Sequence, residues 1–501
     1  METHGQLLEL RDRMNYYFSK RNNKIIALIL LIFIIITLAT SYYGSTDLGD
    51  YADVAKFFAG DYRADIRSSH SYLFGFVHAP FVKLTQSFIF FKISSLFFLA
   101  LLIYSLFIIS GKNKNTLYLL LVSPIIWYMA PWINPIQIAS LLLLWAYYYL
   151  DKYEKDNNTK YLIYSALLIG LGWAFWDTIL YFGVLLAISF LYNKKVSHLV
   201  FYIIFIFIGL APRLILDQIL FNFAFYTSIK TFISGFVNLA GGIYGASYGH
   251  TKLAFFNLLP WLLTIPIMFW PLYKREFFKE NKKTMIFLSL SFLLLLTNSQ
   301  IRYLLTLVPI MLLLISKNMN ERALKIQFIS SVIITIIFII PYIILIGYNI
   351  NGEIYGTDIV GIIAKKQFQI SSIQPADLII EDLLKLEKEF PNEIFIVGNK
   401  PDDYQILADL YWNKEIKEFV SIQDYSLWKK NESIIFKKEF SPLLNIPERR
   451  QIWIEGGIKK NENDHTNYKD INYALSIGEP IKLEGFNIVK RYNQLYISKK
   501  V

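Results

Sequence analysis

The chain of 501 residues has no cysteine, which excludes disulfides, thiolate metal ligands and cysteine nucleophiles. Charge is scarce too: Asp, Glu, Lys and Arg make up 18% of the residues, against ~25% in ordinary soluble domains. Disorder, a collagen-like chain and a disulfide scaffold are excluded on the same composition. No Walker A loop, Rossmann glycine pattern, nucleophile elbow or HExxH is present, and no His/Asp/Glu spacing forms a metal site of known type. No repeat of fixed period and no low-complexity tract interrupts the chain.

What is plentiful is apolar surface. Apolar residues make up 54% of the chain and aromatics 17%, with 40 Phe and 34 Tyr, a composition that points to a bilayer as solvent. The net charge of +11 resembles a nucleic-acid signal until it is located. Residues 351–501 carry 21 Lys+Arg against 23 Asp+Glu, whereas residues 1–350 carry 29 against 16. The basic excess therefore lies among the hydrophobic segments, and no nucleic-acid partner is expected.

A hydrocarbon core about 30 Å thick needs about 20 apolar residues at a rise of 1.5 Å. Such runs recur near 25–43, 89–110, 116–131, 135–150, 160–176, 178–192, 197–214, 253–271, 284–299, 301–316 and 326–348, predicting about 11 transmembrane helices. With the N-terminus in the cytoplasm, six connecting segments on that side hold 20 of the 29 basic residues, as the positive-inside rule demands. That register places two long loops, 44–88 and 213–252, on the outer face together with the C-terminal region. The first run also has Ala39 and Ser41 in the manner of a signal-peptide cleavage site, and cleavage there leaves the topology unchanged.

The pattern changes at about residue 350. Leu378–Phe390 and Tyr404–Trp412 have helical spacing, Glu393–Gly398 and Gln451–Glu455 read as strands, and Phe486–Arg491 with Gln494–Ser498 read as a hairpin. The chain thus divides into a multi-span domain, 1–349, and an extracytoplasmic α/β domain, 350–501, with a glycosylation sequon at Asn431-Glu-Ser433 on the outer side.

Ionisable residues beside apolar helices are costly and mark function. The first outer loop has the densest set: Asp47, Asp50, Asp53 and Asp61, then His70 and His78. Asp47 follows the first span closely, and Asp50, Val54 and Phe57/Phe58 continue at helical spacing, predicting a helix in the membrane interface. A carboxylate there is placed to act as general base toward a hydroxyl or amine; the plain alternative is an N-cap and a solvated acidic face. His70 and His78 are candidates for a donor phosphate. Arg302, in Ser299-Gln-Ile-Arg302-Tyr303, falls at the outer edge between two spans, where a guanidinium either grips phosphate or snorkels to headgroups. Asp177 stands in an outer turn and either orients an acceptor, holds a divalent ion or caps the next helix. Arg213, after Pro212, opens the second outer loop as a further phosphate candidate, with a reciprocal Arg213–Asp217 ion pair as the plain alternative. The tryptophans read as interface belts.

The run Asp47, Tyr51-Ala52-Asp53-Val54 and Gly60-Asp61-Tyr62 resembles the first outer loop of GT-C polyprenyl-phosphate-sugar glycosyltransferases, the protein-mannosyltransferase and aminoarabinose-transferase type. Arg302-Tyr303-Leu304-Leu305 with Pro309 is similar to a late-helix motif of the same superfamily. The chain departs from that pattern at His78-Ala79-Pro80, in place of a Tyr-Pro-Pro-like run, and at Asn134-Pro135-Ile136-Gln137, where an acidic residue is common. Nothing resembles the Trp-Trp-Asp-Tyr-Gly motif of oligosaccharyltransferases.

The resemblance implies an integral plasma-membrane enzyme with a GT-C-like fold. Its reaction is an inverting transfer of one sugar, a hexose such as mannose, from a polyprenyl or dolichyl phosphate to a glycan, lipid or protein acceptor on the extracytoplasmic face. It implies Asp47 and Asp50 as catalytic residues, Arg302, Tyr303, His70 and Arg213 on the donor phosphate, and Asp177 as the second acidic residue. No metal site is assigned, with a divalent cation as the one cofactor in question. A transporter or flippase for a lipid-linked substrate is the competing class, and it expects charges near mid-span in matched broken helices.

Overall fold

The computed structural model describes residues 27–39, 71–85, 89–192, 194–229, 275–296, 301–340 and 471–477, with shorter or interrupted pieces within 51–60, 66–67, 231, 265–266, 382–397, 419–421, 452–453 and 480–501. Asp47, Asp50, His70, the expected span at 253–271 (save 265–266), the helix Tyr404–Trp412 and the sequon at Asn431 lie outside the described residues.

Among the described residues the longer helices are α1 (Ala27–Ala39), then α2 (Leu73–Thr85), α3 (Ile89–Ile109), α4 (Lys114–Leu121), α5 (Pro124–Met129), α6 (Ile136–Asp156), α7 (Thr159–Phe175), α8 (Thr178–Leu191) and α9 (Val196–Phe221). Further along come α10 (Arg275–Glu280), α11 (Lys282–Leu296), a 3₁₀ turn (Ile301–Thr306), α12 (Val308–Asn318) and α13 (Glu321–Ile334), which passes into a π-helical turn at Thr335–Ile339. Among the described residues, α3 and the Val196–Leu220 part of α9 are long and apolar enough to cross a membrane. Both display apolar side chains outward, such as Phe97 and Tyr104 on α3 and Ile204, Ile208 and Ile215 on α9. Outward apolar faces of this extent suit lipid rather than water.

Short polar side chains set the helix ends. Asn113 Oδ1 accepts from the backbone N–H of Asn115, Asn158 Oδ1 from that of Lys160, and Asn320 Oδ1 from that of Ala323, each satisfying a donor that the first helical turn leaves open. At the other end of α6, Asn157 adopts φ 50°, which an Asn tolerates and which turns the chain directly into α7.

The tightest helix contact is between α7 and α9. A Cβ built on Gly170 would stand 2.0 Å from the carbonyl oxygen of Ile206, and one on Gly209 would stand 2.3 Å from that of Leu167. Only hydrogen fits at both positions, so the backbones meet directly, as small residues permit in membrane helices.

Three sequence expectations change here. The run 116–131 is two helices, because Pro124 has no N–H to continue α4; at the break the Val122 carbonyl accepts from Thr335 Oγ1 at 3.1 Å. The second outer loop begins after Phe221, since α9 continues through Pro212 and places Arg213 and Asp217 inside a helix. The tryptophans are not uniformly a belt: Trp127, Trp132 and Trp176 are buried inside the bundle, with Trp127 Nε1 donating to the Leu121 carbonyl.

Beyond the helices, five strands form one sheet of order β3-β2-β5-β7-β6: β2 (Phe395–Val397), β3 (Phe419–Ser421), β5 (Tyr473–Ile477), β6 (Phe486–Arg491) and β7 (Leu495–Lys500). β2 pairs in parallel with β3 and β5, and β7 pairs antiparallel with β5 and β6, so the expected hairpin is present. A separate parallel pair joins β1 (Ile66–Arg67) of the first outer loop to β4 (Ile452–Trp453), tying that loop to the C-terminal region.

Candidate active site

Three groups of polar side chains converge at one end of the bundle. The first begins where α7 ends. Trp176 is extended, and Asp177 then occupies the N-cap position of α8 without making a cap bond. Its carboxylate turns instead to α9, where Arg213 lies one turn beyond Gly209. Arg213 Nη1 donates to Asp177 Oδ1 at 2.5 Å and to the Trp173 carbonyl at 3.2 Å. The Gly170–Gly209 contact brings the two helices close enough for that reach. Arg213 Nε donates to Thr227 Oγ1 at 2.9 Å, and Thr227 donates its hydroxyl to Asp217 and its backbone N–H to Asp217 Oδ2 at 2.9 Å. Thr231 Oγ1 lies 3.4 Å from Asp177 Oδ2. Arg213 and Asp217 are both fully buried.

Buried charges persist only when paired and hydrogen-bonded, and here Arg213 is bonded through Nε and Nη1 while its Nη2 has no partner among the described residues. The group corrects two expectations. Arg213 pairs with Asp177, 36 residues away, and reaches Asp217 through the Thr227 hydroxyl, so the reciprocal Arg213–Asp217 ion pair does not form. Asp177 is neither a cap nor a good ligand for a divalent ion, because a guanidinium already stands against its carboxylate. Among the described residues no three His, Asp or Glu side chains gather where a metal ion would be held.

The second group surrounds Arg302. The 3₁₀ turn buries this side chain to 7% exposure. Its guanidinium carbon lies 5.8 Å from the Trp132 ring centre and 5.3 Å from that of Tyr303, within cation–π range. Tyr303 in turn packs on Trp176 at 5.2 Å, so the Arg302 group and the Asp177 group share neighbouring residues. Trp132 is held from below by Gln137, whose Nε2 reaches Ser95 Oγ at 2.9 Å and the carbonyls of Met129 at 3.0 Å and Trp132 at 3.3 Å. The Asn134–Gln137 stretch, where the resemblance leads one to look for an acid, is thus a clamp on the loop that presents Trp132.

The third group lies beneath the first outer loop. Lys92, one turn into α3, is 1% exposed and donates to the Thr37 carbonyl of α1 at 3.1 Å. Its neighbour Phe91 stacks on His78 at 4.4 Å. His78 Nδ1 donates to the Phe74 carbonyl at 2.7 Å, and burial in this apolar setting lowers its pKa to about 4. A neutral imidazole bonded to its own helix is no phosphate cation, so His78 serves packing. Sequence reasoning passed over Lys92, although one lysine inside the run Phe90-Phe91-Lys92-Ile93 was a readable signal.

The first outer loop arrives at the same end. Val54 and Phe57, both in helical turns, pack with Tyr72, Leu216, Leu220 and Tyr226, while Tyr51 meets Phe74 edge-on at 5.3 Å. Ser71 Oγ donates to the Ala174 carbonyl, fastening that loop to the end of α7. The expected interfacial helix is therefore seated on the bundle. Its buried face covers the outer part of α9 that carries Asp217, and Asp47 and Asp50 themselves lie outside the described residues.

No family model matches the sequence, and no curated protein matches it. Among solved structures, ArnT from Cupriavidus metallidurans bound to undecaprenyl phosphate is similar over 95% of this chain and 97% of its own, with a TM-score of 0.57 at 11% identity. The apo state of the same protein is similar over 96% and 98%, with a TM-score of 0.57 at 12% identity. Likeness of this kind, spread over nearly the whole length of both chains, is a likeness of fold: the chain has the architecture of ArnT.

Proposed function

We propose that this protein is a membrane glycosyltransferase of the GT-C type that takes its sugar from a polyprenyl-phosphate carrier and works on the extracytoplasmic face. The observation that carries the reading is Arg302, a buried guanidinium oriented by Trp132 and Tyr303 at the end of the bundle where the first outer loop is seated. The fold supports it, since a chain of the same architecture has been crystallised with undecaprenyl phosphate. In this reading Arg302 meets the donor phosphate, and the aromatic side chains fix its angle. Lys92 offers a second cation at the same end of α3. Arg213 belongs to the frame rather than to the donor.

The reaction is a single displacement at the anomeric carbon. Asp47, with Asp50 as the alternative, takes the proton of the acceptor hydroxyl or amine, whose lone pair forms the new glycosidic bond. The bond from C1 to the phosphate oxygen breaks, the electron pair leaves with the carrier phosphate, and the configuration inverts. A hexose such as mannose is the sugar we put first, with a glycan, lipid or protein as acceptor. The topology in this reading keeps the N-terminus in the cytoplasm and the C-terminal region outside.

The test is an assay of the purified protein in lipid nanodiscs with a panel of polyprenyl-phosphate sugars, scored by release of free carrier phosphate. One sugar should be transferred, and Asp47→Asn should lose transfer while membrane expression is unchanged. Full activity of that variant would sink the assignment of the base. Inactivity toward every donor, with net movement of intact donor between leaflets, would favour a flippase.

A further inference from the structure

At the end of the helices away from Arg302, α1, α4 and α13 line an open cleft of about 530 Å³, at which Asn115, Glu321 and Lys325 are exposed. Its place is fixed by α12. That helix starts just after the Arg302 turn, and Ser316, near its other end, accepts from Thr116 Oγ1 at 2.6 Å and, through its carbonyl, from Asn113 Nδ2 at 3.3 Å. α4 and α13 both begin at that far end.

The cleft is two-natured. Ile29, Leu121, Val122, Leu324 and Phe328 make its walls apolar, while Asn115, Glu321 and Lys325 gather at the start of α4 and α13. Ile329, on the rim, is 57% exposed and continuous with exposed Ile326 and Ile333 on α13, and Leu28 and Ile32 are likewise exposed on α1. Whatever enters from that side comes out of the hydrocarbon. The volume falls within the ~300–1,000 Å³ of ordinary ligand sites.

The polar end is specific in charge. Glu321 and Lys325 stand one turn apart on α13, a spacing that suits an ion pair. Asp151 and Lys155, at the same spacing on α6, do pair at 2.6 Å. No such bridge joins Glu321 and Lys325 among the described contacts. Lys114 and Arg322 are close in sequence but do not line the cleft, so the lining carries one acid and one base.

We propose that this cleft binds a phospholipid with a zwitterionic, amine-bearing headgroup. One acyl chain lies along the apolar walls, the headgroup phosphate meets Lys325 Nζ, and the headgroup ammonium donates to the Glu321 carboxylate and the Asn115 side-chain oxygen. An anionic headgroup would bring its charge against Glu321. A choline headgroup has no N–H to donate. The site is separate from the proposed donor site and does not depend on the transfer reaction.

The full chain, purified in detergent and stripped of lipid, is incubated with phosphatidylethanolamine, phosphatidylcholine or phosphatidylglycerol of matched chains. Retained lipid is read by native mass spectrometry. Phosphatidylethanolamine should be retained several-fold more than the other two. Lys325→Glu and Glu321→Lys should each remove that preference, and the double exchange should restore it. Ile329→Trp, at the exposed rim, should lower retention of all three lipids with an unchanged elution volume. Equal retention of the three lipids by the native chain overturns the proposal, as does a preference that survives Lys325→Glu. An Ile329→Trp variant that shifts to or from a dimer would assign the face to a second copy of the chain instead.

Discussion

Arg213 and Arg302 reach the same end of the helical bundle and are both buried, yet their surroundings differ in kind. Arg213 is met by oxygens: a carboxylate, a backbone carbonyl and a hydroxyl that bridges it to a second carboxylate. Arg302 is met by the rings of Trp132 and Tyr303. Three oxygens hold Arg213 by its Nε and Nη1, whereas the two rings fix the tilt of the Arg302 guanidinium by its faces. The first arrangement fixes helices in place; the second aims a cation.

The contrast breaks most visibly if Arg213 is removed. Arg213→Ala leaves buried Asp217 and half-buried Asp177 with no guanidinium, and a cost of about 3–5 kcal/mol in unfolding free energy is expected. Denaturant titration in mild detergent measures it, and adding Asp177→Asn should recover part of the loss. A loss below about 1 kcal/mol would place Arg213 among ordinary surface cations. Arg302→Ala should behave in the opposite sense, costing about 10²–10³-fold in transfer rate, as loss of one charge-stabilising donor does, with little change in stability. Lys at this position should restore only part of the rate, because a point charge cannot reproduce the fork.

Next in size is Gly209→Ala. The added methyl must push α7 and α9 apart by several tenths of an ångström or more, and about 1–3 kcal/mol of overpacking cost is expected. The shift also lengthens the reach from Arg213 to Trp173, so the variant should weaken Arg213→Ala's own effect in a double-mutant cycle. The smallest effect sharpens the contrast from a basic side chain that carries no charge. His78 is held neutral with its pKa near 4, so the unfolded chain takes up more protons between about pH 6.5 and pH 4, and stability falls as pH falls through that window. His78→Gln, which keeps a neutral donor at that place, should flatten this slope without altering stability at pH 8.

Most of the helices were legible, because a run of Leu, Ile and Phe long enough to cross a bilayer has few other meanings. α3, α7, α8 and α9 begin within a residue or so of where hydropathy alone places them. Hydropathy has no term for a missing N–H, so the break between α4 and α5 at Pro124 passed as one span. Nor does it report where a helix stops once a charge is buried: Arg213 looked like the start of a loop because its partners, Asp177 and Thr227, are brought to it only by the fold. In the C-terminal region the β6–β7 hairpin was readable from its alternation and its tight turn. β5, Tyr-Ala-Leu-Ser-Ile, is followed by Gly478-Glu479-Pro480, a turn signal that went unused, and it is the strand that joins the parallel and antiparallel parts of the sheet. For the candidate site, Arg302 was visible as a lone cation at a span edge, while Lys92 was equally visible and went unused.

The meeting of Gly170 with Gly209 has a consequence for motion. Two backbones in direct contact, with carbonyl oxygens where side chains would otherwise give, cannot slide past one another without first separating. α7 and α9 therefore travel as one piece, and the ion pair at their upper end travels with them. In the proposed reading, an opening for the carrier lipid therefore lies away from the α7–α9 pair.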